Sequence, residues 1–516
     1  MLRREDSEYQ WFRERAASIH KNHEPEYPTT RSAMSIYAPL PAEPADPQER
    51  AEHDLPPKSY AHAAQEAVRG NANHDEQSYE SSNGAVKLPD RKLKHSEEAL
   101  DEQKVIFEKY TNGDDSYLST VKPDPSYEEI LKHDALTAPR DQRHGAKNTS
   151  KRQDTPKSQL ETGRRAGAGW EKSAIRWAPL NVPLQRRLQT VAVLWHTVSI
   201  ALFLSFFFFL ASIPITWPLL IPYLIYTLLF SEDSTNGSLR RRSKALRGSK
   251  VWSAFASYFP ARLHRTVKLE PTRKYIFGYH PHGIISHGAF AAFATEALGF
   301  SDLFPGITNT LLTLDSNFRI PLYRDYALAM GLASVSRESI ENLLSKGGIN
   351  NEGMGRAVTI VVGGARESLD AQPHSLRLVL NSRKGFVKLA IRMGADLVPV
   401  LAFGENELYD QVDSENHPFI HRFQMVIKKA MGFTVPLFHA RGIFNYDVGL
   451  MPYRRAVNIV VGKPIRVKQQ GGTGGKVDEG YLDEVHAAYV EELTNLWHTH
   501  KDNFAKDREG ELEIVE

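Results

Sequence analysis

His280 and His282 lie in Tyr279-His280-Pro281-His282-Gly283, directly behind the aromatic and β-branched run Tyr275 to Tyr279. Imidazole titrates near neutrality, so such a pair suits taking a proton from a hydroxyl or returning one. Pro281 favours an extended backbone at His280. One working and one structural histidine are expected, and the spacing leaves open which is which. A second cluster, Gly363-Gly364-Ala365-Arg366-Glu367-Ser368, follows the run Val358 to Val362. Glycines there, and Gly283 beside His282, let backbone N–H groups approach an anion or a developing oxyanion. Arg366 adds a donor fork, and Glu367 supplies a carboxylate able to orient a histidine. A third cluster places Arg383 and Lys384 at the start of a helix, with Lys388 and Arg392 continuing the basic side. A phosphate there would meet these cations and the free N–H groups of the first turn.

Several other chemistries lack their parts. The chain has no cysteine, which removes disulfides, thiolate metal sites and a cysteine nucleophile. No G-x-S-x-G elbow is present, which disfavours serine hydrolysis, and no G-x-G-x-x-G follows a strand. His287 could join the histidine pair on a zinc ion, but there is no H-E-x-x-H and no carboxylate at ligand spacing, so no metal is expected. The glycine-rich stretch Gly471 to Val477 lacks the Ser or Thr of a phosphate loop and reads as a plain loop. With 64 Lys and Arg against 62 Asp and Glu, the net charge of +2 argues against a nucleic-acid partner.

The elements that must position these residues follow from hydrophobic pattern. Runs at Tyr275 to Tyr279, Val358 to Val362, Leu397 to Leu401 and Val457 to Val461 read as buried strands. Between the second and third, Phe386, Leu389, Ala390 and Met393 form the apolar side of a helix whose other side is basic. Strand, helix, strand predicts a mixed α/β body with a largely parallel sheet over 240–468, followed by a C-terminal loop and helix over 469–516.

Ahead of that body, Val191 to Phe230 runs for 40 residues without Asp, Glu, Lys or Arg. About 20 such residues cross a bilayer once. Pro214, Pro218 and Pro222 interrupt the run, which predicts a membrane hairpin over 188–230, either two short spans or a re-entrant wedge. Lys and Arg outnumber Asp and Glu by 12 to 4 between Arg140 and Arg187 and by 11 to 1 between Arg240 and Lys274, which places both ends in the cytosol. Residues 1–180 are polar and Pro-rich, an arm expected to be disordered and without a signal peptide.

The blocks Tyr275 to Gly283, Gly288-Ala289-Phe290, Arg324-Asp325-Tyr326 and Gly363 to Ser368 resemble those of the type 2 diacylglycerol acyltransferases. So do Arg383 to Phe386, Gly394 to Val400, Phe403 to Leu408 and Gly462-Lys463-Pro464, all in order across about Arg187 to Lys468. The long arm is similar to that of fungal members. The resemblance implies a membrane-anchored acyltransferase domain that passes a fatty acyl group from acyl-CoA, a substrate and not a cofactor, to diacylglycerol. It implies His280 and His282 as the catalytic motif, and residence at the endoplasmic reticulum membrane and on lipid droplets. Departures are Ala292, where the family often has Asn, and His374, where it often has Gly. Ile285 and His287, five positions beyond the two histidines, are not the Asp of the wider H-x-x-x-x-D acyltransferases, so an orienting carboxylate must come from elsewhere.

The expected chemistry is direct attack of the hydroxyl on the thioester, with His280 or His282 as base and Glu367 orienting it. Gly283, Gly363 and Gly364 would serve the oxyanion, and Arg366, Arg383, Lys384, Lys388 and Arg392 the CoA phosphates. The charge-poor run Gly288 to Leu314 is expected to help admit lipid. Monoacylglycerol, a fatty alcohol or a sterol are alternative acceptors, and an oligomer is compatible with all of them. Readings of another class are a non-catalytic lipid-droplet scaffold and a lipid hydrolase.

Overall fold

The structure is a computed structural model that describes residues 94–99, 106–111, 117–121, 177, 182–411, 438–446, 448–471 and 476–515. Most of the arm, and residues 472–475 of the glycine-rich loop, lie outside the described residues.

A mixed sheet forms the frame. Its strands are β1 (Lys94–Ala99), β2 (Ile106–Thr111), β3 (Tyr117–Val121), β4 (Arg262–Arg265), β5 (Tyr275–His280), β6 (Thr308–Thr313), β7 (Ala333–Ser334), β8 (Arg356–Val361), β10 (Asp396–Phe403) and β13 (Asn458–Val461). Between them in the chain lie the short strands β9 (Arg377–Val379), β11 (Asp410–Gln411) and β12 (Phe438–His439), and β14 (Glu513–Val515) pairs in parallel with β9. The spatial order is β1-β2-β3-β4-β13-β10-β5-β8-β6-β7. The run β10-β5-β8-β6-β7 is parallel, and β13 is antiparallel to β10. The four strands expected from pattern are neighbours here, as β13, β10, β5 and β8.

Both faces of this centre are buried, which is why its strands read as continuous apolar runs and not as alternations. Along β5, Tyr275, Phe277 and Tyr279 enter one core, with Val398 and Val400 of β10. Ile276, with Leu397 and Leu401, enters the other. The described helices include these seven: α1 (Leu184–Ala211), α2 (Trp217–Ile225), α3 (Lys250–Tyr258), α4 (Tyr323–Ala329), α5 (Gly364–Leu369), α6 (Gly385–Met393) and α7 (Glu479–Phe504). Trp252 and Phe255 of α3 belong to the first core, and Phe386 and Val387 of α6 and Leu482 and Tyr489 of α7 to the second.

Two expectations need correction. Three segments of the arm are strands, because Ile106 to Tyr110 and Tyr117 to Val121 carry β-branched and aromatic residues and β3 meets β4, with Leu118 buried and Arg262 Nη1 donating to the Val121 carbonyl at 2.9 Å. The charge-poor run is core and not a lipid entrance, since Ala289 to Ala294 are all buried among Trp252, Phe255 and Phe277. One of its two acids, Glu296, meets Arg247 at 3.1 Å, and Arg247 also donates to the carbonyls of Ala294 (2.6 Å) and Met330 (2.8 Å). Arg247→Met strands these acceptors in the interior, and we expect a loss of about 3 kcal/mol, read as a fall in Tm.

Of the predicted hairpin, α1 is long and apolar enough to cross a membrane. At roughly 1.5 Å per residue its 28 residues reach about 42 Å. It ends before Pro214, where the Thr216 hydroxyl and the Trp217 indole N–H donate to the freed carbonyls of Leu210 (2.6 Å) and Ala211 (2.9 Å). Pro218 falls in the first turn of α2, where no N–H is needed, and Pro222 lies inside α2, so the break comes at Pro214. The first half of α1 is seated on the body: Gln189 donates to Ser257 at 3.1 Å and accepts from Arg454 at 2.6 Å, while Ala192 and Val193 are core. Beyond it Phe206, Phe208, Phe209, Leu219, Leu229 and Phe230 are exposed.

Candidate active site

Three loops meet at one end of the parallel strands. Register places Leu401 of β10 beside His280 and Val361 of β8 beside Tyr279. The segments that follow are therefore brought together: Pro281 to His287 after β5, Gly363 and Gly364 after β8, and Gly404 and Glu405 after β10. Ends of parallel strands at such a position are where α/β folds bind and react their ligands.

The two histidines part company here. Within an extended strand, positions i and i+2 share a face, but the chain leaves β5 at Pro281. His280 stays on the α7 side, fully buried, with Nε2 at 2.9 Å from the hydroxyl of Tyr489. Tyr489 also donates to the Gly278 carbonyl at 3.1 Å. Burial pushes the His280 pKa down to about 3, so the ring is neutral. His282 is half-buried in the loop and its pKa is lowered by desolvation. Its Nδ1 lies 3.0 Å from the Gly283 carbonyl, which only accepts, so Nδ1 carries the proton and Nε2 the lone pair.

Glu367 is 1% exposed, and its carboxylate accepts two backbone N–H groups, those of His282 and of Val379, the latter at 3.1 Å. Glu367, expected to orient a histidine, meets His282 through the main chain and not through an imidazole. Burial raises its pKa to about 7, against the pull of those N–H groups and of Arg383. Gly363 is packed against it, and a side chain there would overlap its Oε2. Gly364, at φ +63°, faces open space at the start of α5.

Sequence reading missed Glu405. It is 2% exposed, accepts from the Tyr279 hydroxyl at 2.7 Å and the Gly288 N–H at 2.9 Å, and has a pKa raised by burial to about 7. Its signal was its place directly after β10, at the same sheet end as the histidines. Gly283 lies over its Cγ at φ +59°, and a Cβ there would come within 2.8 Å. Gly283→Ala adds left-handed strain of about 1–2 kcal/mol to that overlap. We expect lower Tm and transfer reduced about tenfold or more by the displaced loop.

The remaining predicted residues are dispersed. Arg383 reaches the Gly363 carbonyl at 3.4 Å and so borders the loop. Lys384 and Lys388 are engaged elsewhere, with Asp483 (2.6 Å) and Glu479 (2.8 Å) of α7. Arg366 is exposed on α5, and Arg392 lies in the last turn of α6, where its carbonyl accepts from Gln469. His287 is no partner of the pair: its Nε2 meets the Tyr409 hydroxyl at 2.7 Å, and its ring stacks on Phe259. His196 of α1 lies 5.3 Å from that ring, so the long apolar helix touches the layer beneath the loop.

Comparison with known proteins supplies the context. The family model for diacylglycerol acyltransferase matches residues 207–515. The chain is 50% identical over 342 residues to diacylglycerol O-acyltransferase 2A of Umbelopsis ramanniana, covering 66% of this chain and 94% of that protein. It is 44% identical to diacylglycerol O-acyltransferase 2 of Dictyostelium discoideum over 66% of this chain and 99% of that one. It is 45% identical to 2-acylglycerol O-acyltransferase 1 of Bos taurus over 64% and 96%. No solved structure matches the chain. A family match over more than half of the sequence, with relatives contained almost whole within it, shows that the chain belongs to the diacylglycerol acyltransferase family.

Proposed function

We propose that the protein transfers a fatty acyl group from acyl-CoA to the free hydroxyl of diacylglycerol, with Nε2 of His282 as the base. The observation that carries this is the double fixation of His282: its N–H on Glu367 and its Nδ1 on the Gly283 carbonyl, which together present one lone pair from a half-buried ring. The acceptor oxygen attacks the thioester carbon as Nε2 takes its proton. N–H groups of Gly283, Gly363 and Gly364 are the donors offered to the tetrahedral oxyanion. Collapse breaks the C–S bond, and the CoA thiolate recovers the proton from the imidazolium, which leaves ester and thiol. A thioester is already activated, so this route needs no covalent enzyme intermediate, cofactor or metal.

The apolar surface of α1 and α2 supports membrane anchoring, since so many exposed Phe and Leu side chains on one helix pair exceed what water tolerates. The basic flanks support both ends in the cytosol, with the endoplasmic reticulum and lipid droplets as the setting. The cattle relative named for 2-acylglycerol favours monoacylglycerol as a second acceptor.

The test is acyl transfer in microsomes from cells without triacylglycerol synthesis, using labelled oleoyl-CoA with diacylglycerol, monoacylglycerol or fatty alcohol. Labelled triacylglycerol supports the reading; no product with any acceptor from folded protein overturns it. The pH profile adds a second check. His282, with its pKa lowered, is neutral at pH 7 and protonates only below the ordinary histidine range. Glu367 protonates on the way down through about 7, and a neutral carboxyl cannot accept both N–H groups as well. Activity is therefore expected to fall as pH drops, with the acid limb of kcat/KM near pH 7 and not near 6.

A further inference from the structure

Beside the histidine loop lies a cavity of about 410 Å³, and Pro281, the residue between the two histidines, forms part of its wall. Its other walls come from the segment before β9, the end of β10, the segment before β13 and the end of α7. That volume lies within the roughly 300–1,000 Å³ of small-molecule sites. Among the described residues, three lining side chains have polar atoms without a hydrogen-bond partner: Arg455 Nε, His374 Nε2 and Asn406 Oδ1. Asn406 is 7% exposed, and its amide N–H already donates to the Ser375 carbonyl at 3.0 Å. Buried polar atoms in native proteins are nearly always paired, so three orphans around one cavity point to a ligand.

His374 strengthens the case. It stands at φ +61°, a conformation that suits glycine, and is held there because its carbonyl accepts from Glu509 at 3.0 Å while Asn406 grips the next carbonyl. Strain of this kind persists where the surroundings fix it, and it gathers at binding sites. Part of the lining is aromatic: Trp497 stacks on Phe403 with centroids 5.8 Å apart, and half-buried Phe504 lies against Phe403. Lys506 is exposed at the rim. On α6, by contrast, Lys384 and Lys388 already face carboxylates.

We propose that this cavity binds the CoA portion of the acyl donor, with Arg455 and Lys506 on phosphate, the aromatic wall against adenine, and His374 and Asn406 on the amide-bearing arm. The donor's thioester then enters the site past Pro281. This deepens the acyltransferase reading and rests on it for the identity of the donor.

The test uses the full chain in lipid nanodiscs, with Arg455→Gln and His374→Gly, the second of which relieves backbone strain and keeps the fold. Loss of a charge-assisted contact predicts a rise of about tenfold in KM for oleoyl-CoA and in the Kd of CoA by calorimetry for Arg455→Gln. KM for diacylglycerol stays within about twofold. His374→Gly is expected to raise Kd for CoA severalfold with Tm unchanged or higher. Unchanged KM and Kd in both variants overturn the proposal. So does Arg455-dependent binding of phosphatidic acid vesicles that CoA does not displace. Should the wild type transfer to no acceptor, the acyltransferase reading falls, and the CoA calorimetry still decides the cavity.

Discussion

His282→Ala is expected to lose about 10²–10⁴-fold in transfer while keeping its stability within about 1 kcal/mol. Alanine retains the main-chain N–H that Glu367 accepts, so the loop keeps its anchor. What disappears is the lone pair at Nε2. His280→Ala separates the two roles. It removes a fully buried ring, leaves the Tyr489 hydroxyl without that partner and opens a void beside the Tyr489 ring, so Tm falls as well as rate. Transfer from labelled oleoyl-CoA at equal protein level, paired with thermal unfolding, reads both. Full activity in His282→Ala, or a loss confined to His280→Ala at unchanged Tm, would move the base to His280.

The second large effect is at Glu367. Two backbone N–H groups converge on its two oxygens, one from His282 and one from Val379. Gln has the same shape but offers one oxygen and one NH₂, so one of the two N–H groups faces a donor. Asp keeps the charge and falls short. Glu367→Gln, Glu367→Asp and Glu367→Ala are all expected to cost about 10²-fold in kcat/KM, through misplacement of the base, and about 1–3 kcal/mol of stability per stranded donor. Glu367→Gln is the informative one, because it preserves packing. A Gln variant with wild-type kcat/KM would show that the carboxylate does not position the base. The acid limb of the remaining activity should also move down from pH 7 in Gln, because position 367 then has no titrating group; a limb that stays at 7 would assign it to Glu405.

Much of the frame was legible because its signals are local. Two-sided burial wrote Val358 to Val362 and Leu397 to Leu401 as unbroken apolar runs, and the period of α6 showed in Phe386, Ala390 and Met393. The loop residues were legible by type, and Glu367 does lie against the histidine loop. The manner was not legible, since a main-chain N–H leaves no mark on residue identity. Glu405 and Tyr489 were missed because their partners lie 126 and 209 positions away, and only strand register for Glu405 and the packing of α7 for Tyr489 bring them near. The basic side of α6 looked open for the same reason: Glu479 and Asp483 arrive about a hundred residues later. The run Gly288 to Leu314 misled because a lipid-facing wall and a protein core share one composition.

Tyr489 also sets an order in time. The apolar helix pair is complete once Phe230 has been made, whereas α7, whose hydroxyl completes the pocket around His280, begins at Glu479. At about 5–20 residues per second, that gap of some 250 residues lasts roughly 12–50 s on the ribosome. Throughout that interval a nascent chain has its apolar helix pair but lacks the last support of its central strand. A ribosome stalled before Tyr489 would hold a polypeptide whose first helix is long and apolar enough to cross a membrane and whose histidine pocket is still open.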